Sequence, residues 1–128
     1  ALEFAVTVLK VSDVVVMGHG RCGGVAAAFA VAEKQPVGQF IGPWVSLISD
    51  VCAKVPNAEA PTVSDAAQKE GELRVVKKSL ENLMTFPFVS EAVAGKTLAL
   101  HGAWFSIGEG QLQWLDEETG AFAEVPEA

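Results

Sequence analysis

This sequence predicts a single α/β domain: a mixed, mainly parallel sheet with flanking helices and a C-terminal β-hairpin. Three observations predict it. A continuous apolar run, Val14-Val15-Val16-Met17, stops at Gly18, as a strand covered on both faces would. Helix-prone stretches separate that strand from a second strand signal beginning at Thr97, giving the order helix, strand, helices, strand, strand, with no internal repeat or low-complexity linker. Two strand-like segments flank Gly108-Glu109-Gly110, a turn sequence that closes a hairpin. All 128 residues fit one domain.

The elements follow in order. Leu2, Ala5, Val6, Leu9 and Lys10 fall at helical spacing, and Ser12-Asp13 breaks the pattern before the apolar strand. Gly18 to Gly24 is the loop at that strand's carboxyl end. Val25 to Lys34 is alanine-rich and helix-prone, Pro36 and Gly38 interrupt it, and Pro43 suits the first turn of a helix running to Cys52. Pro56 to Pro61 reads as an exposed loop.

The longest periodic stretch is Ser64 to Leu83. Ser64-Asp65 caps it, Leu73, Val76, Leu80 and Leu83 form one stripe, and Gly71 predicts a kink or break. A short helix follows Pro87 and Phe88 to Ala94. Thr97 to Ile107 is a strand, and Gln111 to Leu115 its hairpin partner, with Leu112 on one face and Gln111 and Gln113 on the other until Trp114-Leu115 breaks the alternation. Asp116 to Ala128 is an acidic tail with a turn at Thr119-Gly120.

Composition excludes several function classes. Nine basic against sixteen acidic residues give a net charge of −7, a field that repels nucleic-acid phosphates and anionic membranes. Half the residues are apolar and the mean hydropathy is +0.31, which excludes a disordered acidic chain and suggests burial against partner chains. No apolar run reaches the roughly 18 residues of a membrane span, and Glu3 stands where a signal peptide would carry basic charge. Cys22 and Cys52 show no disulfide-framework spacing, so a cytoplasmic location is expected.

Chemistry concentrates in Gly18-His19-Gly20-Arg21-Cys22-Gly23-Gly24, beyond the carboxyl end of a strand where open α/β sheets bind ligands. His19 and Cys22 are three positions apart across a glycine. Zinc takes such nitrogen and sulfur donors tetrahedrally, so the pair is a candidate for two ligands of a metal. A structural reading stands beside it, in which Cys22 is a small apolar residue and the glycines only permit turns. So does an anion cradle, because the loop contains a G-x-G-x-x-G match. Cys52, on a helical apolar pattern, and His101, mid-strand, read as structural; Arg21 reads as solvated, and Trp44, Trp104 and Trp114 as core or interface residues.

Leu2-Glu-Phe-Ala-Val-Thr-Val-Leu-Lys-Val followed by Val14-Val-Val-Met-Gly-His-Gly-Arg-Cys-Gly-Gly resembles the β-class carbonic anhydrases. The resemblance continues through Gly42-Pro-Trp-Val-Ser-Leu-Ile, Ser79-Leu-Glu-Asn-Leu-Met-Thr-Phe-Pro-Phe-Val, Leu100-His-Gly-Ala-Trp-Phe-Ser-Ile and Thr119-Gly-Ala-Phe, in family order. It implies a zinc enzyme that reversibly hydrates carbon dioxide to bicarbonate, with His19 and Cys22 as zinc ligands and the Gly23 or Gly24 amide donating to bicarbonate. It also implies a homodimer or higher homo-oligomer.

The same resemblance implies an earlier C-x-D-x-R element carrying a third ligand and an Asp–Arg pair. These 128 residues contain none, so no catalytic residue is identifiable and the expectation is a chain with part of the active site. A fragment, a truncated product, a non-catalytic assembly module of the same kind and an anion- or nucleotide-binding domain stay open at this stage. An unpaired edge is expected beside Val14 to Met17, where the family's cysteine-bearing strand lies.

Overall fold

The computed structural model describes residues 1–59 and 62–126. Four strands, β1 (Asp13–His19), β2 (Ala99–Ser106), β3 (Gln111–Leu115) and β4 (Phe122–Glu124), form one sheet in the order β1-β2-β3-β4. Strand β1 runs parallel to β2, from Asp13 opposite Ala99 to His19 opposite Phe105, while β2–β3 and β3–β4 are antiparallel. The class is the expected one. The sheet is mixed but not mainly parallel, because among the described residues only β1–β2 is a parallel pairing, and the short β4 adds a second antiparallel one where only an acidic tail with a turn was expected. Asp116 accepts from the Thr119 amide at 2.8 Å, and Gly120, at φ +68°, turns the chain back onto β3.

Among the described residues four α-helices accompany the sheet: α1 (Gly23–Ala32), α2 (Ile41–Cys52), α3 (Asp65–Leu83) and α4 (Pro87–Ala94). Ser64 caps α3 as expected, its hydroxyl accepting from the Ala67 amide at 3.2 Å. Gly71 does not break the helix, which runs from Asp65 to Leu83. An added Cβ there would lie 2.7 Å from the Phe29 ring, so the glycine's role is to admit Phe29 of α1 against α3. Val25, Ala28, Phe29, Val45, Cys52 and Ala67 then join α1, α2 and α3 in one buried cluster. A second cluster, around Val6, Val89 and Leu98, packs the start of the chain and α4 near the amino ends of β1 and β2.

The helical spacing at the start of the chain produces a π-helix, Phe4–Leu9, whose wider bonding carries the Lys10 amide to the Ala5 carbonyl. Lys10 closes it in the left-handed region, at φ 53°.

Strand β1 departs from the reading as a strand covered on both faces. Its residues alternate in exposure, and Met17 is 63% exposed. Helix α3 supplies the reason: it packs on the face of β1 and β2 that carries Gly18, Gly102 and Trp104, and among the described residues the opposite face has no such helix. One edge of β1 has no strand neighbour among the described residues. Trp104 is buried, whereas Trp114 is partly exposed and Trp44 is 66% exposed, so Trp44 is no core residue of this chain. The loop read from Pro56 to Pro61 is described only to Glu59, where Ala58 is partly buried; Ala60 and Pro61, like the last two residues of the tail, lie outside the described residues.

Candidate metal centre

The β1 strand ends at His19 and α1 begins at Gly23, so the loop expected from Gly18 to Gly24 is only the three-residue turn Gly20 to Cys22, which links the candidate donors. Gly20 keeps the loop tied to the sheet, its amide donating to the Phe105 carbonyl at 2.9 Å. Arg21 then adopts φ 55°, a left-handed conformation uncommon outside glycine, and this reverses the chain so that Cys22 stands at the N-cap of α1. The His19 side chain is exposed with Nδ1 3.1 Å from the Gly20 carbonyl oxygen. A carbonyl only accepts, so that contact places hydrogen on Nδ1 and leaves the Nε2 lone pair for a ligand.

Helix α3 fixes the other donor. The Cys22 amide donates to Glu72 Oε1 at 2.8 Å, and Gln68 Nε2 donates both to the Cys22 carbonyl and to Glu72 Oε1, each at 3.0 Å. The remaining Glu72 oxygen accepts from the Trp104 indole at 3.0 Å. Glu72 is only 2% exposed. Gly18 makes this approach possible, since an added Cβ would lie 2.7 Å from Val76 Cγ2 and 3.7 Å from the Glu72 carbonyl. The sequence reading missed Glu72 and Gln68. The signal lay in their spacing: Gln68 and Glu72 extend, at four-residue steps, the line of Val76 and Leu80 on the apolar stripe.

His19 and Cys22 suit zinc in kind, as imidazole and thiol on one short glycine-rich loop, but a tetrahedral protein site needs more donors than two. Among the described residues no group of three His, Cys, Asp or Glu side chains is placed to hold a metal. Cys52 does not complete it. It is 1% exposed within the helical cluster, and burial, reinforced by the nearby Asp50 charge, pushes its thiol up to about 11, which keeps it protonated. His101 is also elsewhere, on β2, with Nε2 2.8 Å from Asp13 Oδ1 and its ring against Trp114. Gly23 and Gly24 open α1, whose first turn has no side-chain cap. An added Cβ on Gly23 would meet nothing within 4 Å, while one on Gly24 would touch Cys22 Sγ and Trp44 at 3.7 Å.

Residues 1–112 match the carbonic anhydrase family model. This chain belongs to the β-class carbonic anhydrase family. It is 33% identical to beta carbonic anhydrase 3 of Arabidopsis thaliana, over 96% of this chain and 50% of that protein. Among solved structures, the β-carbonic anhydrase CafA of Aspergillus fumigatus is 36% identical, with a TM-score of 0.73 over 90% of this chain and 53% of that one. A tetrameric β-carbonic anhydrase of Sordaria macrospora is 29% identical, with a TM-score of 0.75 over 95% of this chain and 59% of that one. The chain thus spans about half the length of the relatives it matches.

Proposed function

We propose that the protein carrying this chain catalyses zinc-dependent, reversible hydration of carbon dioxide to bicarbonate, and that this chain supplies two zinc ligands, His19 and Cys22. The observation that carries the reading is the β1–α1 loop: an exposed imidazole with Nε2 free and a cysteine whose backbone is held from both sides, in a chain of this family. The chemistry a bound zinc would contribute is Lewis acidity, which lowers the pKa of water towards about 7. The chain's own part is to present the two donors and, through the uncapped amides of Gly23 and Gly24, to donate hydrogen bonds to the anionic product. The further donors come from outside the described residues. A homo-oligomer is part of the proposal, supported by the exposed apolar side chains of Val15, Met17, Trp44 and Leu47 and by the tetrameric Sordaria relative. A reducing compartment such as the cytoplasm suits the two free cysteines.

The test is zinc content by elemental analysis together with stopped-flow carbon dioxide hydration, on the intact protein and on its His19→Ala and Cys22→Ser variants. The expected result is near-stoichiometric zinc and activity in the parent, with both lost in each variant. A parent without zinc, or variants that keep it, would overturn the reading.

A further inference from the structure

Glu72 poses a problem that its hydrogen bonds only partly solve. It is a carboxylate at 2% exposure, and its three donors, the Cys22 amide, Gln68 Nε2 and Trp104 Nε1, are neutral N–H groups. None of the ion pairs among the described residues includes it; these join Arg74 to Glu70, Lys78 to Glu81 and His101 to Asp13. The neighbouring Lys69 lies over the Trp104 ring, 4.4 Å from its centroid. Buried carboxylates are ordinarily matched by a positive charge, because removing an ion from water costs several kcal/mol or more that neutral donors offset incompletely. A glutamine in this place would fill the same volume without that cost.

The position of the carboxylate suggests what it is for. It is one hydrogen bond from the backbone of Cys22, and Gln68, which shares its Oε1, grips the same residue's carbonyl. Cys22 therefore has both peptide groups fixed from α3, on a loop that already carries a left-handed residue at Arg21. A loop strained in this way keeps its shape only when its surroundings determine it.

We infer that Glu72 is a positioning residue of the metal centre, holding the Cys22 backbone in place before a divalent cation binds at His19 and Cys22. The inference rests on the metal-site reading above and deepens it. Trp104 and Gln68 orient the carboxylate, and none of the three is placed as a ligand.

The experiment uses the intact protein, with zinc affinity measured by competition against a chromophoric chelator. Cobalt is substituted for zinc in parallel, so that the thiolate-to-cobalt absorption reports the Cys22 bond independently of turnover. Glu72→Gln is expected to weaken zinc affinity roughly 10- to 100-fold, the range for residues that orient metal ligands, and to shift the cobalt band. Trp104→Phe keeps the Glu72–Cys22 hydrogen bond, so its loss is expected to stay below about tenfold. A Glu72→Gln protein that binds zinc as the parent does, with an unchanged cobalt band, would overturn the inference. Hydrogen exchange at the Cys22 amide of the zinc-free parent needs no variant: protection supports the pre-formed loop, and exchange at the open-chain rate overturns it. Metal lost in His19→Ala and Cys22→Ser but bound with the parent's affinity in Glu72→Gln removes this inference alone, whereas a parent that binds no metal removes the metal-site reading with it.

Discussion

The two faces of strand β1 are built from the same apolar run and meet different fates. On one, Gly18 lets α3 come close enough for Val76 to fill the space beside the strand and for Glu72 to reach Cys22. On the other, Asp13, Val15, Met17 and His19 are all exposed, and the contacts there include the Ser12–Asp13 hydrogen bond, the Asp13–His101 pair and the His101–Trp114 ring contact. The covered face sets the backbone of the candidate site. The open face presents its exposed imidazole, His19, beside apolar side chains that suit a neighbouring surface. The site is thus supported from behind, by residues of this chain, and left accessible in front.

Adjacent residues test that contrast most sharply. Gly18→Ala drives a Cβ to 2.7 Å from Val76 Cγ2. Val76 is buried and its β-branched side chain has little rotamer freedom, so the helix must move, at an expected cost of about 1 to 3 kcal/mol. Met17→Ser, one residue earlier on the open face, is expected to change the stability of this 128-residue chain by no more than about 0.5 kcal/mol, as exposed substitutions usually do. Urea unfolding of both variants checks the pair. Equal losses at the two positions would mean that the open face is covered in solution.

Val15→Lys sharpens the comparison at a second level. In this chain the new charge would meet water, and the unfolding midpoint is expected to stay within the same narrow range. In the assembled protein, a lysine placed in an apolar contact would shift sedimentation towards smaller species. Unchanged sedimentation would show that contacts between subunits avoid this face of β1.

The difference between the faces also explains what the sequence could and could not disclose. The His19–Cys22 pairing is legible because the two donors flank one short turn, and the starts of α3 and α4 and the hairpin turn follow from local punctuation at Ser64, Pro87 and Gly108, whereas β1 runs past Gly18 to His19. A run such as Val14 to Met17 carries no record of which faces are covered, because apolar residues occupy both sides of the pleat alike. The Glu72 and Gln68 contacts with Cys22 span 50 and 46 residues, beyond any local pattern. The break expected at Gly71 does not occur for a related reason: the glycine admits Phe29, from another helix. Strand β4 escaped because three residues hold too little alternation to read.

The smallest expected effect belongs to Asp13, on the open face. The Ser12 hydroxyl first, and His101 second, hold the Asp13 carboxyl below its ordinary value of 3.8. A depressed folded-state pKa contributes stability that is present above the unfolded value and lost as pH falls through the folded one. Asp13→Asn removes the titrating group, so the parent's small advantage in melting temperature over the variant should hold near neutral pH and shrink as pH drops below about 4. Because Asp13 is exposed, the advantage should also diminish with added salt. An advantage that persists unchanged into acid would mean that Asp13 acts through strand pairing with β2, as an uncharged residue would.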